Sequence, residues 1–176
     1  MIYLTELYYF FDQKNFPYEK AVLVTAQKVS EWSKYYRVKL LAPKKGIVEL
    51  ERSGQLPDNV SERKEFILKL LEWVWENSYT SDLFLLYLND DEKNNSKVRK
   101  FDHHDDTCCW YMNLSNEEFR ELTATLKQND LPEDLYYPED KAIMIPYPWK
   151  IKIFGWLIGG QKVYTPKRWQ AEHRNG

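Results

Sequence analysis

Ser61-Glu62-Arg63-Lys64-Glu65-Phe66-Ile67-Leu68-Lys69-Leu70-Leu71-Glu72-Trp73-Val74-Trp75-Glu76-Asn77, followed at 83–88 by Leu83-Phe84-Leu85-Leu86-Tyr87-Leu88, decides the fold class. At about 100° per residue, the apolar side chains between Phe66 and Trp75 sweep more than half of a helix circumference. Glu65, Lys69, Glu72 and Glu76 are left on a narrow polar stripe, so the helix needs neighbours on several sides. Ser61 can cap the first turn, Glu62 suits the positive end of the dipole, and Asn77-Ser78 closes the helix. The apolar run that follows is too short to span a membrane. Thr80-Ser81-Asp82 and Asn89-Asp90-Asp91 bound it, which predicts a strand covered on both faces.

Working toward the N-terminus, residues 46–51 and 37–41 alternate polar and apolar side chains around Pro43-Lys44-Lys45-Gly46, the pattern of a hairpin with one wet face. Before it, Val22, Ala26, Val29 and Trp32 recur at helical spacing, predicting a helix from Pro17 to about residue 35. The aromatic density of residues 2–11 favours a strand that Asn15-Phe16-Pro17 ends. Toward the C-terminus, residues 89–106 are strongly charged and read as a solvated loop. Residues 107–112 restore a strand pattern. Ser115-Asn116-Glu117-Glu118 then matches a capping box, with Leu114 and Phe119 placed as a staple and Phe119, Leu122 and Leu126 striping a helix over 116–128. Residues 131–137 connect to strands at 143–145 and 149–154, separated by Pro146-Tyr147-Pro148, and Gly159-Gly160 permits a tight return into 161–164.

These readings give an α+β fold: a single domain with about three helices, near 17–35, 62–77 and 116–128, packed on a mainly antiparallel sheet. Strands after residue 141 are expected to complete that sheet. Residues 1–166 form the globular unit and residues 167–176 a basic C-terminal tail.

A chain of 176 residues suits one domain that buries a core without staples. Charged residues at 30% balance hydrophobic residues at 43%, which disfavours both disorder and a membrane class. A formal net charge of −2 supplies no whole-molecule field toward nucleic acid or an anionic membrane. Cys108 and Cys109, the only cysteines, are adjacent, which excludes a disulfide framework. No basic segment precedes an apolar one near Met1, so no signal peptide or membrane anchor is expected and the cytoplasm is the expected compartment. Aromatic residues reach 16%, too many to bury completely with their polar tips satisfied, so some are expected at a contact surface.

Three stretches offer chemistry. Asp102-His103-His104-Asp105-Asp106-Thr107-Cys108-Cys109 crowds transition-metal ligand types together, and an extended strand would align His104, Asp106 and Cys108 on one face and His103, Asp105 and Cys109 on the other. Zinc sites gather ligands from separate elements, and His173 is the only other histidine, so small core cysteines in a polar loop are the plainer reading. Glu139-Asp140-Lys141 has a nuclease-like carboxylate and ammonium spacing for Mg²⁺, a spacing common by chance. Lys162, Tyr164, Lys167, Arg168, Trp169, His173 and Arg174 mix cations with aromatics as nucleic-acid grooves do, although a basic tail more often solubilises or meets an acidic protein. No nucleophile elbow and no phosphate loop occurs.

The expected function is therefore a small cytoplasmic protein-interaction module, such as an accessory subunit, inhibitor or immunity-type protein, without an enzymatic activity or cofactor. Its expected contacts are Tyr147, Trp149, Trp156, Arg168 and Trp169. The runner-up is a metal-dependent hydrolase or nuclease holding Zn or Mg through His103, His104, Asp106 and Cys108. Nucleic acid is a secondary partner, met by the tail; no membrane partner is expected.

Overall fold

Period-two alternation and 3.6-residue recurrence divide the chain between sheet and helix. The structure, a computed structural model, describes residues 1–6, 17–41, 49–77, 84–90, 99–104, 107–133, 135–138, 143–144 and 162–163. Within them the chain runs β1 (Ile2–Glu6), α1 (Tyr18–Glu31), β2 (Tyr35–Leu41), β3 (Glu49–Gln55), α2 (Val60–Asn77), β4 (Phe84–Asn89), β5 (Arg99–His104), β6 (Thr107–Asn113), α3 (Asn116–Gln128), β7 (Tyr137–Pro138), β8 (Ile143–Met144) and β9 (Lys162–Val163). No helix among these residues is long and apolar enough to cross a membrane.

Among the described residues seven strands form one sheet in the order β3-β2-β4-β5-β6-β1-β7, and every pairing is antiparallel. Following the pairings across the sheet, β1 runs parallel to β2, and β3 runs parallel to β4, without being adjacent. Each of these pairs is joined by a helix, α1 and α2 respectively, which must cross over one face of the sheet. Side chains on that face meet the helices. Tyr36 lies 4.8 Å from Phe66 of α2, the Arg52 guanidinium sits 3.8 Å over Trp73 of α2, and Tyr3 stacks on Phe119 of α3 at 4.0 Å. Val38, Leu40, Leu86, Leu88, Phe101, Trp110 and Met112, all fully buried, fill the space between. On α2 the buried residues Ile67, Leu70, Leu71 and Val74 keep the spacing i, i+3, i+4, i+7, and Glu65, Lys69, Glu72 and Glu76 are exposed as the stripe predicts.

The α3 boundary is built as its sequence specifies. Glu118 N donates to Ser115 Oγ at 3.1 Å, and Ser115 N donates to Glu118 Oε2 at 2.7 Å, closing the capping box. At the other end Leu131 N donates to Leu126 O and Asp130 N to Lys127 O, with Asp130 in the left-handed region at φ 55°. Leu126 and Leu131 are both buried, the apolar contact that accompanies such a helix end.

Five expectations are corrected. The cap of α2 is Asn59, whose Oδ1 accepts from Ser61 N at 2.8 Å and Glu62 N at 3.2 Å; the helix starts one residue before Ser61, which is therefore inside it. Helix α1 ends at Glu31, short of residue 35, because Tyr35 is taken up as the first residue of β2. Strand β4 is fully covered on one face only: Phe84, Leu86 and Leu88 are buried, while Leu85, Tyr87 and Asn89 are half-buried. The stretch 89–106 contains β5, with Arg99 and Phe101 wholly buried, because Arg99 finds carboxylate partners inside. Strands β8 and β9 pair with each other in a separate sheet and do not extend the seven-stranded one. The expected turn at 43–46 and the tail at 167–176 lie outside the described residues.

The three described helices are tied by charge. Lys28 of α1 meets Glu31 at 2.7 Å and Glu121 of α3 at 2.8 Å, and Lys64 of α2 meets Glu31 at 2.6 Å. Burial works to raise the Glu31 pKa, but the two ammonium groups more than offset it and hold the carboxyl below its ordinary 4.5. A carboxyl whose folded pKa is depressed adds stability above its unfolded pKa, and that stability is lost as pH falls through the folded value. Between about pH 5 and pH 3, the melting temperature of the wild type is expected to fall more steeply than that of Glu31→Gln. Parallel curves from thermal melts across that range would remove Glu31 from the acid response.

Candidate functional site

The Asp102–Cys109 cluster is a hairpin and not one extended strand. His104 is the cross-strand partner of Thr107, so the chain reverses between them; His103 then opposes Cys108, and Asp102 opposes Cys109. The alignment of His104, Asp106 and Cys108 along a single strand is therefore corrected. Of the four proposed metal ligands, only His103 has its side chain among the described residues; Asp106 lies outside them, as do the side chains of His104 and Cys108. The His103 ring stacks on Phe84 at 5.3 Å and lies 5.9 Å from Tyr18 and 6.5 Å from Phe101, at the helix-covered side of the sheet. Among the described residues no three His, Cys, Asp or Glu side chains gather around one point. The expected contacts Tyr147, Trp149, Trp156, Arg168 and Trp169 also fall outside the described residues.

The opposite face of the sheet holds a constellation that the sequence does not display. Cross-strand pairing aligns Arg37 of β2, Tyr87 of β4, Lys100 of β5 and Tyr111 of β6 in one row. Directly opposed residues share a face, so two cations and two tyrosines alternate across four strands. The next row in the same direction runs Glu51, Lys39, Leu85, Asp102 and Cys109. The described helix–sheet ring contacts all lie on the other side. Tyr87, Tyr111, Leu85 and Cys109 are half-buried here.

Every described cation of this face is matched to a carboxylate. Arg37 Nε meets Glu51 Oε1 at 2.7 Å, Lys39 Nζ meets Glu49 at 2.8 Å and Glu51 at 3.1 Å, and Lys100 Nζ meets Asp102 Oδ2. The hydrogen bond that Arg37 donates to Glu51 is the main reason that the Arg37 pKa is raised, and the Glu51 carboxyl is correspondingly held below its ordinary range. Partial burial works against the Lys100 charge, yet the Asp102 hydrogen bond and its charge outweigh it and raise the ammonium pKa. Arg37, Lys39 and Lys100 against Glu49, Glu51 and Asp102 leave the described charges of the face at zero.

No single stretch of sequence carries this pattern. Tyr87 and Tyr111 are separated by a long, largely polar and charged segment, and only the strand register brings them into one line. Comparison with protein-family models, curated protein sequences and solved structures finds no match to the chain.

Proposed function

We propose that the chain is a small protein-interaction module, of the accessory-subunit, inhibitor or immunity kind, working in the cytoplasm. The observation that supports this reading is the row of Arg37, Tyr87, Lys100 and Tyr111, its two cations matched by Glu51 and Asp102 of the next row, on the face opposite the described helix contacts. A tyrosine offers a broad apolar ring and a hydrogen-bonding tip while losing little rotamer freedom, which suits a contact with another protein. Cations already matched to carboxylates gain little from a polyphosphate, because counterion release needs unneutralised charge; the face therefore favours a protein over nucleic acid. Tyr147, Trp149, Trp156, Arg168 and Trp169 remain contacts of this proposal, contributed by the C-terminal segment. No observation among the described residues favours the metal-dependent hydrolase.

Affinity capture from the native organism, run side by side with wild type and a Tyr87→Ser/Tyr111→Ser variant of unchanged circular dichroism, tests the reading. A defined protein recovered by the wild type is expected to fall at least about tenfold with the variant, since buried tyrosines at interface centres commonly cost this much or more. Equal recovery by both proteins would take the tyrosine face out of the interaction.

A further inference from the structure

Strand β3 is the edge of the seven-stranded sheet, and among the described residues nothing pairs with its free side. Edge strands are commonly guarded by a short length, a proline, a bulge, charged side chains that repel an incoming strand, or a covering element. β3 has seven residues and no proline, and every residue from Glu51 to Gln55 is exposed. Its charges are already matched, Glu49 and Glu51 by Lys39 and Arg37 of β2 and Arg52 by the Trp73 ring, which reduces their repulsion of an incoming strand. Ser53-Gly54-Gln55 carries no charge at all.

The register fixes which backbone groups face outward. Leu56 N donates to Lys34 O at 2.7 Å, while Lys34 N donates to Asn89 O; with Tyr35 opposite Gln55, the first bond fixes the phase of the β2–β3 ladder, with Tyr36 and Gly54 as a hydrogen-bonded pair. Such pairs alternate, so Leu50, Arg52 and Gly54 bond toward β2, and Glu49, Glu51, Ser53 and Gln55 turn their N–H and C=O groups to the free side.

We propose that β3 pairs antiparallel with β3 of a second copy of this chain, in the register that sets Ser53 opposite Ser53. That register sets Glu51 against Gln55, Arg52 against Gly54 and Leu50 against Leu56, so no like charges are opposed, and the outward groups of Glu51, Ser53 and Gln55 are all satisfied. Moving the axis to residue 52 would set Arg52 against Arg52, moving it to residue 51 would set Glu51 against Glu51, and moving it to residue 54 would set Glu51 against Pro57, which has no N–H to donate. A second copy fits better than a bare peptide because it brings its own helix layer. Trp73, half-buried above Arg52 at the rim, would meet the α2 of the second copy across a seam of about 5 Å strand spacing. The edge borders the tyrosine face at Glu51, but the pairing uses backbone groups of β3 that the tyrosine row does not, so the proposal stands independently of it.

Sedimentation equilibrium of the full chain at micromolar concentrations is the test. The wild type is expected at twice the 21.3 kDa of one chain. Ser53→Pro is expected to be a monomer with unchanged circular dichroism, because the N–H that it removes bonds the second copy and not β2. Ser53→Ala is expected to remain a dimer. Should the proline variant fail to fold, Gln55→Glu reads the same register: it places a carboxylate opposite each Glu51 and is expected to weaken dimerisation about tenfold. A wild type that stays monomeric overturns the proposal and leaves the edge to a strand from another protein. A dimer untouched by a folded Ser53→Pro or by Gln55→Glu overturns it as well.

Discussion

Arg99→Ala is expected to remove about 3–5 kcal/mol of folding stability, the cost of breaking a buried ion pair from one side. The Arg99 side chain is wholly inaccessible to solvent. Its NH1 group donates to Asp90 Oδ1 at 2.6 Å, to the Trp32 carbonyl at 3.1 Å and to Ser33 Oγ at 3.3 Å, while NH2 donates to Glu118 Oε1 at 2.8 Å. One guanidinium therefore joins the end of α1, the end of β4, strand β5 and the first turn of α3. Truncation removes the Arg99 donor from two carboxylates and a helix-terminal carbonyl. Asp90, a third exposed, can rehydrate; Glu118, 16% exposed, cannot do so fully, so most of the cost falls there. Glu118 is doubly committed, because its other oxygen accepts from Ser115 N in the capping box.

Arg99→Lys is expected to recover less than half of the loss. A single ammonium lacks the fork that reaches Asp90 and Glu118 at once. Urea denaturation reads both effects as midpoint shifts at constant slope. Typical domains hold about 5–15 kcal/mol, so an Arg99→Ala midpoint equal to wild type would be unmistakable, and would mean that the pairs contribute nothing beyond the cost of burying them.

What the sequence reveals about this fold depends on how far apart the deciding groups lie. The α3 cap needs only Ser115 and Glu118, and the polar stripe of α2 only residues three or four apart, so both are legible. Arg99 is not. Its burial depends on Trp32, Asp90 and Glu118, and a charged stretch read alone passes for a solvated loop. Strand β4 misleads for a related reason. Leu85 and Tyr87 make it look apolar on both faces, yet their cross-strand neighbours are Lys39, Arg37, Lys100 and Asp102, whose stems can shield these side chains while their charged ends stay wet. The same dependence on register hid the tyrosine row and aligned the histidines and cysteines wrongly: a reversal between His104 and Thr107 opposes residues that a straight strand would line up.

Trp110 should give the second large effect, and its two substitutions should separate. The side chain is fully buried in β6 and packs 5.1 Å from Phe101 with the rings tilted 45°. Trp110→Ala opens a cavity in the middle of the sheet-helix interface and is expected to cost about 3–5 kcal/mol. Trp110→Phe keeps a ring against Phe101 and removes a liability, because the buried Trp110 Nε1 atom has no hydrogen-bond partner among the described residues. Leaving such a donor unsatisfied costs about 1–3 kcal/mol, so removing it offsets the lost ring volume and the net change is expected to stay under about 1.5 kcal/mol. Pairing Trp110→Ala with Phe101→Ala in a double-mutant cycle should return a coupling of about 0.5–1.5 kcal/mol for the ring contact itself. If the phenylalanine variant unfolds at the same urea concentration as the alanine variant, the indole N–H is satisfied in solution and the core needs the full volume of tryptophan at this position.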